Sequence, residues 1–274
     1  MKKIGVTYSP AIDEKWSQIK ELVDTVEICN LSQFEKAADK LWTYHFRFRD
    51  PYNPKAGSLN LLKLDEIKLA LERSKEVIFK KKPEIISVHL AFPALEIGKV
   101  PPDNHNVAES QVLPREEVLK RVVESLDYLS EFTERVRIPL AIEQLDFHLG
   151  GAYEYICEPD FINEVLQGNK NLYLLLDVAH AEISAVELLG ERPKNRLVAT
   201  RKYLKRLLLE RVIEIHINSP IWEDGNPLDM HFPITEVEKK LLRNLLFLPN
   251  LQIVSLECES EVEKQLKYLR GLAW

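Results

Sequence analysis

Nine side chains in this sequence could hold metal ions, and each lies at or just beyond the end of a hydrophobic run: His45, His89, Glu143, Asp177, His180, His216, Asp229, His231 and Glu257. Six of them, His45, His89, Glu143, Asp177, His216 and Glu257, close an apolar stretch that reads as a buried strand. A lone histidine at a strand end is more often a hydrogen-bonded structural residue, so the argument rests on the set. In LLLDVAHAEI, Asp177 and His180 are three apart across a strand-to-helix turn, which lets a carboxylate and an imidazole reach neighbouring ions. In NPLDMHFPITE, Asp229 and His231 are two apart in an extended segment, so both point the same way. Imidazoles mixed with carboxylates suit zinc, iron or manganese better than calcium or a lone magnesium. Nine ligands are too many for one ion. At about three or four protein ligands each, with a carboxylate bridge and open positions for water, they suit two or three divalent ions. Zinc is the favoured ion, with iron and manganese as alternatives.

The apolar runs that position these residues are KIGVTY from Lys3, VEIC from Val26, KLWTYHF from Lys40, EIISVHLAF from Glu84, PLAIEQL from Pro139, NLYLLLD from Asn171, VIEIHI from Val212 and LQIVSLE from Leu251. Between most of them lie segments with apolar residues three and four apart, such as LLKLDEIKLALERSKEVIF, REEVLKRVVESLDYLSEFTERV, RKYLKRLLLERV and EVEKKLLRNLLFL, which read as helices. Pro159 and Pro233 sit where helices begin, with Ser32 and Asp13 as N-caps. Strands alternating with helices mean parallel pairing and right-handed crossovers. Eight such units on about 250 residues read as one closed (β/α)8 TIM barrel, a single domain over 1–274. An open doubly wound sheet is the runner-up, but no G-x-G-x-x-G or Walker-type loop follows any strand. In a barrel the C-terminal strand ends face one mouth, so the six strand-end residues converge there. The long connections after the third, fourth and seventh strands should shape the substrate cavity.

Composition narrows the partners. No apolar run approaches the roughly 20 residues that span a bilayer, and MKKIGVTYSPAIDEKW reads as a first strand, not a secretion signal, so a cytoplasmic protein with no membrane partner is expected. A net charge of −6 argues against a broad basic nucleic-acid surface, although three divalent ions would cancel it. The basic run KKKP at Lys80 to Pro83 ends a helix, where lysines complement the dipole. Cys29, Cys157 and Cys258 are odd in number and far apart, and read as buried free thiols. Cys258 follows Glu257, but strand alternation points it away from its neighbour. Arg47 and Arg49 could hold a phosphate or form surface ion pairs. His105 and His148 lie in polar or glycine-containing loops and could enter the cavity, but read first as solvated residues, and Trp42, Trp222, Tyr153 and Tyr155 read as either mouth or packing residues.

The ligand order His, His, Glu, D-x-x-H, His, D-x-H, Glu resembles that of endonuclease IV, a trinuclear zinc phosphodiesterase within the xylose isomerase-like TIM barrels. That resemblance implies one ion on His45, His89 and Glu143. A second would share Glu143 and take Asp177, His216 and Glu257, and a third would take His180, Asp229 and His231. The phrases SVHLAF, IEQLDF, EPDFINEV followed by YLLLDVAHAEISA, EIHI and DMHFPITE are instead similar to a second branch of the same superfamily. This uncharacterised-domain family includes the iron-dependent oxygenases of methanobactin biosynthesis, which modify a peptide cysteine with help from a partner protein. Against it, His180 stands where that branch usually carries Asn. Against endonuclease IV, FHLGG at Phe147 to Gly151 replaces the Gly-rich segment after the bridging Glu.

The reading that leads from the residues is a hydrolase acting on a phosphoester through a metal-bridged hydroxide, with Glu143 as the bridge and catalytic residue. The alternatives are an iron-dependent oxygenase acting on a peptide or small molecule, and a sugar isomerase or epimerase. Outside catalysis stands a barrel that binds a partner or stores metal. The partners to match are a small-molecule or phosphoester substrate, nucleic acid on the endonuclease IV resemblance alone, or a peptide.

Overall fold

Strands that are apolar on both faces must be covered by helices outside and by each other's side chains inside. The computed structural model, which describes residues 2–37, 39–100, 105–148 and 153–272, has that arrangement. Its strands are β1 (Lys3–Thr7), β2 (Thr25–Ile28), β3 (Leu41–His45), β4 (Ile86–His89), β5 (Ile97–Val100), β6 (His105–Ala108), β7 (Leu140–Glu143), β8 (Leu172–Asp177), β9 (Val212–Ile217), β10 (Ser219–Glu223), β11 (Asn226–Phe232) and β12 (Ile253–Leu256). Eight of them close a parallel barrel in the order β1-β2-β3-β4-β7-β8-β9-β12, which is the closed (β/α)8 barrel expected from the sequence. The other four form two antiparallel hairpins, β5 with β6 and β10 with β11, inside the long connections that follow β4 and β9.

The helices are α1 (Pro10–Ile19), α2 (Phe34–Ala37), α3 (Leu64–Lys81), α4 (Arg115–Val136), α5 (Pro159–Gly168), α6 (Val178–Leu188), α7 (Arg196–Leu204), α8 (Glu236–Leu245) and α9 (Val262–Arg270). Some boundaries differ from the sequence reading because side-chain hydrogen bonds set them. Ser9, not Asp13, caps α1, its hydroxyl accepting from Ile12 N–H at 3.3 Å, while Asp13 lies in the first turn. Asn30 holds the cap assigned to Ser32 by accepting from the Ser32 N–H. Pro159 does open α5, but Pro233 precedes α8, which Thr235 caps in a reciprocal box with Glu238. The helix read from RKYLKRLLLERV begins earlier, at Arg196, and stops at Leu204 before a single 3-10 turn. Among the described residues no helix is long and apolar enough to cross a membrane.

Register carries the site. β4 pairs with β7 so that His89 lies beside Glu143, and β8 pairs with β9 so that Asp177 lies beside His216. The interior is plugged at one end by Ile85, Ala141, Leu175, Ile213 and Ile253. Nearer the C-terminal ends it turns polar, with Thr25, Glu27, Thr43, Ser87, Glu214 and Ser255 all buried. Gly5 makes room for this layer, since a methyl group there would collide with Ser255 Oγ.

Candidate metal centre

The end of β7 puts the Glu143 carboxylate, 2 % exposed, at the middle of the barrel mouth. Its Oε2 lies 3.1 Å from His89 Nε2 and 3.5 Å from His45 Nε2, while its Oε1 lies 3.6 Å from both His180 Nδ1 and His216 Nδ1. His216 Nδ1 also faces Glu257 Oε2 at 3.3 Å. Two groups of ligand atoms, each within 4.8 Å of one another, result: His45, His89 and Glu143, and Glu143, Asp177, His216 and Glu257. The remaining three residues meet on one atom, with His180 Nε2 and His231 Nε2 at 3.2 and 3.3 Å from Asp229 Oδ2. Among the described residues they do not close into an equally tight group. Asp229 and His231 come from β11, where His231 has φ of +50°, a backbone strain that the hairpin holds next to the site.

The partners of the outward-facing atoms settle which atoms face inward. His45 Nδ1 is 2.9 Å from Ser87 Oγ, His180 Nδ1 is 2.8 Å from Gln144 O, and His216 Nε2 is 3.1 Å from Glu27 Oε1. Asp177 caps α6, its Oδ1 accepting from His180 N–H at 2.8 Å, which leaves Oδ2. Four buried atoms then have no hydrogen-bond partner: His45 Nε2, His216 Nδ1, Asp177 Oδ2 and Asp229 Oδ1. A buried polar atom without a partner costs about 1–3 kcal/mol, so four on clustered candidate ligands call for an occupant. Lone pairs from imidazole and carboxylate are what a divalent transition ion takes, and the residues therefore fit such ions.

Charge in the metal-free centre is unevenly shared. Burial alone would raise the Glu143 carboxyl, but His89, His216 and His45 outweigh it and hold it well below the usual range. Burial, reinforced by Asp229, Glu257 and Glu143, pushes Asp177 well above it. Burial would depress His216, yet Glu27, Glu257 and Glu143 raise it well above the ordinary value. His180 is raised against burial by Asp177 and Asp229. His45 is lowered by burial and by His89. Against burial, His216 and His231 hold Glu257 down at about 2, while Glu257 and Asp229 lift His231 to about 10. Beneath them, burial and the Glu27 carboxylate push Glu214 up to about 8. Carboxylates exceed the cations available to them, which is the condition that added metal ions relieve.

The centre opens into a cavity of about 230 Å³ lined also by Cys29, Arg47, Asp146, His148, Tyr153 and Met230. His148 is not the solvated loop residue expected: it is 8 % exposed, and its Nε2 lies 2.5 Å from Asp146 Oδ2. Its segment is held against α6, because Phe147 N–H donates to Ser184 Oγ at 3.0 Å. Arg47 lines the cavity, whereas Arg49 turns to Glu66. Cys29 is half-buried, not fully buried as expected, and in the metal-free centre desolvation of its thiol and Glu27 push it up to about 12. Cys157 is buried, and Cys258 is buried with its thiol on Ser260 O at 2.7 Å. Tyr153 is a mouth residue; Trp42 packs on Phe34, Trp222 stacks with Arg196, and Tyr155 donates to Leu113 O. His105 opens β6. The FHLGG segment runs past His148 outside the described residues.

Two residues that position the centre carried no sequence signal. Gln144 donates to Asp177 O at 2.5 Å and accepts from Asp177 N–H at 3.3 Å, clamping β7 to β8 just past Glu143. Glu27, on β2, reaches His216 across the barrel interior.

The family model for the RiPP precursor modification enzyme MbnB/TglH/ChrH matches residues 4–264. No curated protein matches the sequence. Among solved structures, AP endonuclease family 2 from Brucella melitensis superposes with a TM-score of 0.63 at 14% identity, covering 100% of both chains. A D-tagatose 3-epimerase-like protein gives 0.61 at 18% identity, covering 98% of this chain and 96% of that one. The TTHB071 protein from Thermus thermophilus, soaked with ZnCl2, gives 0.58 at 17% identity over 99% and 98% of the two chains. At such identities these likenesses establish the barrel fold and nothing finer.

Proposed function

Since the chain belongs to the RiPP precursor modification enzyme family MbnB/TglH/ChrH, we propose that it modifies a ribosomally made precursor peptide at a centre of two or three divalent ions held by the nine residues. The observation that carries this reading is that the matched stretch, 4–264, runs through all nine. The cavity supports it. At about 230 Å³ it is smaller than the roughly 300–1,000 Å³ that encloses a drug-sized ligand, so it suits one residue of a longer chain. A second hollow of about 140 Å³ shares Ser58 and Phe92 with it. That hollow in turn shares Lys63, Glu66, Leu95 and Glu96 with a surface groove of about 610 Å³ beside α3 and α4, which gives an extended peptide a path outward.

When bound, the ions supply Lewis acidity and, where the ion is iron, electrons for oxidative chemistry. The remaining work falls to the chain. Glu143 ties the two tight ligand groups together, so their separation is set by one carboxylate. Arg47 offers a fixed positive charge at the cavity wall to orient a carbonyl or carboxylate of the substrate. Asp146 and His148 form a hydrogen-bonded pair in the cavity lining, suited to holding or passing a proton at an imidazole nitrogen. Tyr153 and Phe92 pack edge to face at 5.8 Å and wall off one side from water.

A second reading, a zinc-dependent phosphoester hydrolase, is favoured by the His180, Asp229 and His231 set, which adds a third group of ligands. Metal analysis of protein purified anaerobically without chelator separates the two. Iron, together with a mass change in a candidate precursor peptide on co-expression, supports peptide modification. Two or three zinc per chain with turnover of abasic DNA supports hydrolysis, and less than about half an equivalent of any transition metal overturns both.

A further inference from the structure

We infer that Glu27, which lies outside the nine residues, is the positioning residue that fixes His216 as a metal ligand, through a hydrogen bond from His216 Nε2–H to its carboxylate. The inference rests on the metal-centre reading above. β2 and β9 are not neighbours in the barrel, being separated by β1 and β12, so this contact crosses the interior. Both oxygens of Glu27 are engaged: Oε1 lies 3.1 Å from His216 Nε2, and Oε2 accepts from Thr7 Oγ1 at 2.9 Å. A carboxylate tied at both ends cannot swing away from the ring. With one proton held at Nε2, it is Nδ1 that must give up its proton to bind, and that atom faces Glu143 and Glu257 with no hydrogen-bond partner. This is the tautomer a ligand requires.

His216 differs in this from two other rings of the centre. His45 leans on the Ser87 hydroxyl and His180 on the Gln144 carbonyl, both uncharged partners. A charged carboxylate raises the basicity of the imidazole more than an uncharged partner does, and here it does so in the group that already holds Asp177 and Glu257. A buried carboxylate is a poor choice for packing. Glu27 is 1 % exposed in a barrel whose other end is filled by aliphatic side chains, and the ring it holds accounts for its position. Glu214 lies alongside, within 4.8 Å of Glu27 and His216, its Oε1 accepting from Ser255 Oγ at 3.0 Å.

The test reloads chelated protein with Co²⁺ and follows visible absorption and competition with a chromophoric chelator. Glu27→Ala and the volume-preserving Glu27→Met should weaken one Co²⁺ by about 10–100-fold and alter its absorption bands, leaving the other ion unchanged. Glu27→Gln, which keeps an acceptor, should recover affinity to within about tenfold of wild type. Glu214→Gln should match wild type. Wild-type affinity and spectrum in both Glu27→Ala and Glu27→Met would overturn the role of Glu27 alone, and loss of the same ion in Glu214→Gln would replace it with an ion bound between Glu27 and Glu214. A wild-type protein that takes up no Co²⁺ would instead overturn the metal centre itself.

Discussion

Replacing Glu143 with glutamine removes one charge and almost no volume, and the geometry sets how much metal should leave with it. The carboxylate is 2 % exposed and faces four ring nitrogens at 3.1–3.6 Å, two on each oxygen. Oε2 belongs with His45 and His89, and Oε1 with His216 on the side of Asp177 and Glu257. Removing one partner from a buried charge pair costs about 3–5 kcal/mol. At about 1.4 kcal/mol per decade, that is roughly 10²- to 10⁴-fold in a dissociation constant. Because one residue serves both groups, both ions weaken together. Metal per chain, measured by plasma mass spectrometry after gel filtration, should fall to well under one equivalent in Glu143→Gln. Asp177→Asn touches one group only and should keep the ion on His45, His89 and Glu143. A Glu143→Gln protein that holds the wild-type amount, or that loses a single ion while Asp177→Asn loses the same one, would refute the bridging arrangement.

His180→Asn should leave the two tight groups loaded and remove at most the ion on Asp229 and His231, read as a change of no more than one equivalent by the same metal analysis. Metal affinity should rise with pH: Asp177, His180 and His216 are held protonated above their ordinary ranges and must lose those protons to bind, so acid favours the metal-free form. Proton release on loading, measured by titration calorimetry in buffers of different ionisation enthalpy, checks this, and uptake of protons would contradict it. Arg196→Ala should destabilise the fold by about 3–5 kcal/mol in urea titration, since Arg196 bridges Glu182 at 2.8 Å and Glu238 at 3.3 Å and both carboxylates are fully buried. Arg196→Lys should recover only part of that, because an ammonium cannot serve both carboxylates in the fork geometry.

What could be read from the sequence was what repeats or sits at an edge. The eight barrel strands are continuous hydrophobic runs, and the C-terminal strand-end rule delivered six of the nine residues to one mouth. Asp177 was readable twice over, as a candidate ligand and as the residue before an apolar helix, and it does cap α6. Glu27 was not readable, because a glutamate inside VEIC looks like an outward-facing strand residue until the barrel closes and brings His216 across from it. His148 read first as solvated for the opposite reason: its loop looks polar, and bonds such as that from Phe147 N–H to Ser184, which hold the segment against α6, join residues far apart in the sequence. The β10–β11 hairpin was missed as a unit since its burial is irregular, though its Asp229 and His231 were readable from their spacing.

The polar half of the barrel interior also bears on how the fold and the centre depend on each other. Glu143, Asp229 and Glu257 line the cavity, and Asp177, Glu27 and Glu214 are buried beside them. Without ions this many carboxylates cannot all remain charged, and the structure answers by raising Asp177 and lifting Glu214 to about 8. Each such protonation is a free-energy cost of the metal-free fold that bound cations remove. Ligands that bind only the native state stabilise it by mass action, by about 2.7 kcal/mol at a hundredfold excess over the dissociation constant. Metal should therefore raise the melting temperature of the wild type and lose that effect in Glu143→Gln. The barrel is held by its aliphatic plug and helical layer, so the gain on loading should come from its polar end and leave that apolar core unchanged.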